Sequence, residues 1–235
     1  MKFVRVLTAL SLFGALAQAQ SLPDRVPSLI ETHFNQIYVP EGFDDNDNVQ
    51  IFGVGVYPTA CYRNAETTVS VDEVNKTITI VPTAFYYNGI CLQVLLPFER
   101  VIDVGILKTG VYSIFQNESR TVLGQVNVRH ALRAEPDDEL YAPVSQVFVR
   151  TVNGMSQITI TGEMPSGCMA LKEIRVDVQK DVIVLLPIVE MKIADCKKEK
   201  YSFESTKSVS IKPGQYMMHV RSMNGKSINN RIDVL

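Results

Sequence analysis

Tryptophan is absent from the 235 residues, and histidine occurs only at His33, His130 and His219. None of the three sits in a recognisable motif, and neither G-x-S-x-G nor H-E-x-x-H occurs. Nucleophilic and zinc-hydrolase chemistry therefore have no signature here, and no catalytic residue is expected. The four cysteines, Cys61, Cys91, Cys168 and Cys196, include no C-x-x-C pair, which removes the spacing of a zinc or dithiol redox site. Charge of one sign is lacking too. Twenty-three Lys and Arg against twenty-five Asp and Glu leave −2, too little positive charge for the stripe a nucleic-acid binder needs. No cofactor or metal motif is present.

Long apolar runs are missing beyond the first residues, so no later segment is expected to span a membrane. The start itself reads as a secretory signal peptide. Lys2 and Arg5 precede an apolar stretch from Val6 to Leu16, and Ala17-Gln18-Ala19 offers a small-x-small cleavage site. Residues 1–19 are accordingly expected to be removed and the chain to be exported, to a periplasm or outside the cell. In such an oxidising compartment an even cysteine count favours disulfides.

What the chain does have is an internal repeat. Gln36 with Ile37-Tyr38-Val39 matches Gln146 with Val147-Phe148-Val149, and Pro58 with Cys61 matches Pro165 with Cys168. "VDEVNKTITIVP" from Val71 matches "VDVQKDVIVLLP" from Val176. At that offset of 105 Cys91 falls on Cys196 and Phe98-Glu99 on Phe203-Glu204. After a slip of one residue, Gly110-Val111-Tyr112 meets Gly214-Gln215-Tyr216, and "VNV" at Val126 meets "IDV" at Ile232. Order kept with small gaps from end to end argues for duplication. The reading is an N-terminal segment 20–33, a first domain 34–129, an exposed linker 130–143 around Pro136 and Asp137, and a second domain 144–235.

Within each copy, short runs of Val, Ile, Thr, Tyr and Phe alternate with polar residues and turn signals, the strand pattern. Asn153-Gly154 and Asn224-Gly225 are strong hairpin signals because both central residues of the favoured turn need positive φ. The expected class is all-β, with two antiparallel sandwiches of about seven or eight strands each. In strand count, length and tandem arrangement each copy resembles an immunoglobulin-like domain, and the nearer likeness is to exported bacterial proteins of tandem immunoglobulin-like modules, with "G-x-Y" strand starts at Gly110 and Gly214. Of three possible cysteine connectivities only Cys61–Cys91 with Cys168–Cys196 respects the repeat, giving one internal disulfide per domain.

Other features have plain readings. "DDNDN" (44–48) offers oxygen ligands but lacks the glycine and closing glutamate of a calcium loop, so a polar hairpin loop is expected. Met217 and Met218, adjacent on a strand, point to opposite faces and read as core filling rather than a copper site. "CKKEKY" (196–201) reads as a solvated turn. Asn75-Lys76-Thr77 and Asn117-Glu118-Ser119 match the glycosylation pattern, without meaning in a bacterial chain. Phe85, Tyr86 and Tyr87, just before Cys91, form the candidate binding surface, and the second copy has no aromatics there. The expected function is non-enzymatic recognition of a protein or glycan. The rivals are a structural or assembly module pairing through strand edges and, further off, an inhibitor or hydrolase.

Overall fold

The computed structural model describes residues 26–117, 119–134, 137–192 and 199–234, and among them there are strands, turns and loops but no helix. No helix there is long and apolar enough to cross a membrane. The leader 1–19 and Cys196 lie outside the described residues.

The first half supplies two sheets. Sheet I orders β2 (Gln36–Tyr38), β4 (Val49–Tyr57) and β7 (Leu96–Gly105). Sheet II runs from β5 (Tyr62–Asp72) through β6 (Thr77–Tyr86), β8 (Gly110–Gln116) and β9 (Gly124–Arg129) to the short β3 (Phe43–Asp44). Here β1 (Ser28–Glu31) also pairs with β6. The second half repeats this plan. Sheet III orders β12 (Met169–Gln179), β13 (Val182–Met191), β15 (Gly214–Ser222) and β16 (Lys226–Val234), and sheet IV orders β10 (Val144–Val152), β11 (Met155–Met164) and β14 (Tyr201–Val209).

Registers repeat along with strand order. Thr77 to Ile80 lie beside Ser113 to Gln116, and Val182 to Leu185 beside Met217 to Val220, which are the offsets of 105 and 104 read from the sequence. Both of these pairings are parallel, a correction to the wholly antiparallel expectation. After the β5–β6 hairpin the chain crosses to sheet I as β7 before returning as β8, so it can arrive in the same direction as β6. Alternation within a strand says nothing about its neighbour's direction. Another repeated detail is a glycine facing a phenylalanine across the ladder, Gly55 with Phe98 and Gly162 with Phe203. A Cβ on Gly55 would stand 2.3 Å from the Phe98 ring, so the ring can lie flat over the strand only because that side chain is missing.

The boundaries move. β1 is part of the first unit, and its counterpart is the end of the segment read as a linker. Glu31 pairs with Thr83 and Tyr141 bridges to Ile188, while Thr32 N–H donates to Pro82 O and Ala142 N–H to Pro187 O, both at 2.8 Å. Tyr141 and Ala142 are buried, so the expected exposed linker is in part a structural strand edge. These segments are too short to show a period, which is why the sequence pattern passes over them.

Four layers result, in the order II, I, III, IV. Ile51, Phe98 and Ile102 of sheet I pack on Ile78, Ile80, Tyr112 and Ile114 of sheet II. Ile158 and Ile160 of sheet IV pack on Ile183, Leu185, Met218 and Val220 of sheet III. Between the two units Tyr38 and Phe52 meet Val182, Val184 and Met217. Met217 and Met218 are both wholly buried but on opposite faces of β15, one in the seam and one in the core. Because sheets I and III are covered on both sides, their strands lose the alternation of half-buried ones: "VIVLLPIV" in β13 is buried almost throughout, whereas β6 alternates.

Cys61 and Cys91 form a disulfide with Cα atoms 5.4 Å apart, closing a separation of 30 residues. In the chain-entropy account that closure contributes about 3.5 kcal/mol. Replacing both cysteines by serine is expected to lower unfolding free energy by that order, read from urea denaturation. A loss below about 1 kcal/mol would mean the crosslink constrains the unfolded chain much less than this account requires.

Candidate functional site

The aromatic trio sits where β6 leaves sheet II. Tyr86 is half-buried and leans on Tyr62 at 5.2 Å between centroids. Tyr62 stacks on Tyr57 at 5.3 Å, Tyr57 on Phe98 at 4.1 Å, and Phe98 meets Phe34 at 5.7 Å. Tyr86 is thus the outer end of a stack rooted in the core, and its role is positioning. Phe85 and Tyr87 face outward, at 39% and 40% exposure. The strand end is also pinned from behind by Arg100, whose Nη2 donates to Thr83 O at 2.6 Å and to Tyr57 Oη at 2.7 Å.

Sequence reasoning stopped at Tyr87, but the exposed apolar surface continues. Ile90 is fully exposed, Leu92 and Leu95 are each 73% exposed, and Val94 also faces solvent. Leu29, exposed on β1, pairs directly with Phe85. The loop is held at both ends: Tyr87 N–H donates to Cys61 O, Ala60 N–H donates to Leu92 O, and Cys91 is bonded to Cys61. From Thr83 to Pro97 the chain carries no Asp, Glu, Lys, Arg or His. That fifteen-residue gap in charge was the available signal. The second copy shows that the fold does not demand it, since Glu190 and Lys192 stand in the corresponding stretch.

A second constellation lies in the seam between the units. Asp44 and Asp47 of "DDNDN" are 4% and 5% exposed, which corrects the reading of a plain polar hairpin loop. The signal for it was absent, because the partner is Arg221, over 170 residues away. Arg221 Nη2 reaches Asp47 Oδ2 at 2.9 Å and donates to Gly42 O at 2.6 Å. Its Nη1 lies 3.6 Å from Asp137, and its guanidinium covers the Phe43 ring at 5.2 Å. His219, also buried, meets Phe43 edge-on at 5.9 Å and bonds Asn229 through Nδ1 at 2.7 Å. Ser227 and Asn229 both donate to Gln50 across the seam. The rest of the loop is tied as well: Asp45 accepts from Ala131 N–H at 2.8 Å and pairs with His130 at 2.9 Å.

Burial sets the protonation states. Desolvation first, then its hydrogen bond and repulsion from Asp47, push the Asp44 carboxyl up to about 7. Desolvation lowers His219 to about 4, against the stabilising bond to Asn229. A carboxyl raised this far is acid–base chemistry in many enzymes, but here Asp47 is engaged by Arg221 and both aspartates are buried, an arrangement that fastens two bodies. The adjoining cleft of about 610 Å³ has Arg129, Arg133 and Arg175 among Asp138, Glu139 and Asp177, too mixed in sign to select either an anion or a cation. His33, the third histidine, is exposed and joins neither constellation.

Removing one partner of a buried pair leaves the other charge unanswered, so Arg221→Met is expected to cost about 3–5 kcal/mol by denaturant unfolding. A loss near that of an exposed pair, about 1 kcal/mol or less, would dismiss the seam as a fastening. The pH dependence has two opposing parts. Asp44, raised from 3.8 to about 7, contributes stability that is complete below its unfolded value and lost as pH rises to about 7. His219, lowered from 6.5 to about 4, contributes stability that is complete above 6.5 and lost as pH falls to about 4. Relative to the parent, Asp44→Asn should therefore gain stability with rising pH across this window, and His219→Gln should lose it. Unfolding midpoints measured across the window check this, and parallel profiles for all three proteins would refute both assignments.

A family model described as ORF11 beta-sandwich domain matches residues 54–128, from the middle of β4 through β9, and so takes in the Cys61–Cys91 staple and the apolar loop. No curated protein and no solved structure matches the chain. The all-β class, a β-sandwich over this region and one disulfide are what the first half is shown to have.

Proposed function

We propose that this is an exported, non-enzymatic binding protein, processed after Ala19, that recognises a protein or glycan partner at the cell envelope or outside the cell. In this reading the chain is two tandem immunoglobulin-like sandwiches born of duplication, each with its own disulfide, the second joining Cys168 to Cys196. Support for the duplication comes from the shared strand order, the shared parallel register and the paired Gly–Phe ladders.

The observation that carries recognition is the outward pair of Phe85, at the end of β6, and Tyr87, on the loop that follows, which is fixed by a disulfide and by backbone bonds at both ends. Rigid aromatics lose little conformational entropy on binding. One copy keeps this surface and the other replaces it with charge, as expected of a contact that a single unit makes. The alternative is an assembly module pairing with neighbours through its outer strand edges, which needs no outward aromatic residue.

A pull-down from the native envelope and medium tests the proposal by comparing the parent with Phe85→Ala/Tyr87→Ala. A partner retained by the parent and weakened at least about tenfold by the double variant is expected, the loss of two anchor side chains. No partner depending on these two residues, or association of the chain only with itself, would sink it.

A further inference from the structure

The aliphatic residues that follow Tyr87 ask for a different partner from the aromatics before them. We infer that Ile90, Leu92, Val94 and Leu95 dock the protein onto a lipid surface, entering the apolar region of a zwitterionic bilayer. This rests on the loop being a contact surface, and at these residues it puts lipid in place of a protein or glycan contact.

Two observations favour lipid. First, the aliphatic side chains stand in water: Ile90 is fully exposed and Leu92 and Leu95 nearly three-quarters so, and aliphatic groups in that state gain by leaving water without needing a shaped receptor. Second, this stretch offers almost nothing directional. Protein interfaces carry about one hydrogen bond per 100–200 Å² and draw their anchors from Trp, Tyr and Arg, with Leu under-represented; a glycan needs side chains that bond its hydroxyls. Between Ile90 and Leu95 only Gln93 has a polar side chain other than the bonded Cys91, and its amide donates to Cys91 O. Hydrocarbon asks for no such partners. The absence of charge from Thr83 to Pro97 removes the cost of desolvating an ion on entry and leaves no attraction to anionic lipid, so the docking is independent of salt.

Because the chain has no tryptophan, a single introduced one reports its own surroundings. The experiment takes the exported, processed protein as Leu92→Trp, and as Phe148→Trp on the far sheet IV, where Phe148 is 55% exposed, and titrates each with phosphatidylcholine vesicles. Emission from the Leu92→Trp protein should shift to the blue, equally at low and high salt, while the Phe148→Trp protein shows no shift. In vesicle sedimentation, Leu92→Glu/Leu95→Glu should partition at least about tenfold more weakly than the parent, with an unchanged thermal transition since both sites are exposed. No shift at position 92, an equal shift at position 148, or binding that needs anionic lipid and vanishes with salt would each overturn lipid docking. If vesicles fail while the Phe85→Ala/Tyr87→Ala protein still loses a protein or glycan partner, lipid docking falls and recognition stands. If both readouts fail, the loop is no contact surface and both readings fall.

Discussion

Everything in this molecule depends on two sheets that are buried on both faces. Sheet I and sheet III each have a core on one side and the seam on the other, so Tyr38, Phe52, Val182, Val184 and Met217 are shielded from water although none belongs to either unit's own core. Apolar burial there is non-directional and could tolerate sliding of one sheet on the other. The polar contacts remove that freedom. Arg221 reaches an aspartate, a backbone carbonyl and an aromatic face of the first unit at once, and Gln50 accepts from two residues of β16. A buried ion pair is weak evidence of net stability, since a well-packed apolar replacement can do as well, and its best attested service is to fix one arrangement among several. That service suits an interface between two flat sheets.

Much of this was legible in the residues and some was not. The Cys61–Cys91 pairing and the turns at Asn153-Gly154 and Asn224-Gly225 are local features, and the structure has them, with positive φ at all four turn residues. Opposite facing of Met217 and Met218 followed from strand geometry alone. Three things escaped. The direction of β8 relative to β6 is fixed by where the intervening strand goes, not by either strand's composition. The burial of Asp47 is matched by its ion pair with Arg221, which no local window contains. The apolar loop is only partly marked by its aromatic side chains; the rest of its signal is the absence of charge over the ten residues after Tyr87. One clue to double burial did stand in the sequence: "VIVLLPIV" is continuous where its counterpart "TITIVPTA" alternates, and a continuous run within an otherwise alternating pattern marks a strand covered twice.

The strand plan shared by the two halves also separates what the fold requires from what it permits. Positions that agree between the copies are those that shape the sandwich: a glycine under a phenylalanine, a proline whose carbonyl receives the incoming edge segment, the cysteine staple of the first half with its sequence counterpart. Positions that differ are free of that demand. At the loop after β6 the first copy is apolar and exposed and the second is charged, and Asn117, bonded to Glu31, stands where Arg221 holds the seam. The same scaffold position therefore closes a local edge in one unit and joins two bodies in the other, a change of reach achieved by a longer, charged side chain.

An interface of this kind raises a problem that its own faces answer. Sheet I meets sheet III head to tail, and if both units kept both complementary faces the contact could be repeated without end, as unclosed heterologous contacts are. The free faces are not complementary. Where sheet III presents Val182, Val184 and Met217 to the seam, the matching places on sheet II are Thr77, Thr79 and Ser113; where sheet I presents Phe52 and Val54, sheet IV has Thr159 and Thr161. Thr159 also bonds Thr206 across the strands at 2.8 Å, which keeps its hydroxyl engaged at the surface. Phe148, at the place of Tyr38 and 55% exposed, and Val81, at the place of the seam's Leu186, keep the apolar character of the buried partner. One apolar side chain among the hydroxyls at the matching places of each outer face is too little area to seat another sheet, so the stack ends at four layers by the composition of its outer faces.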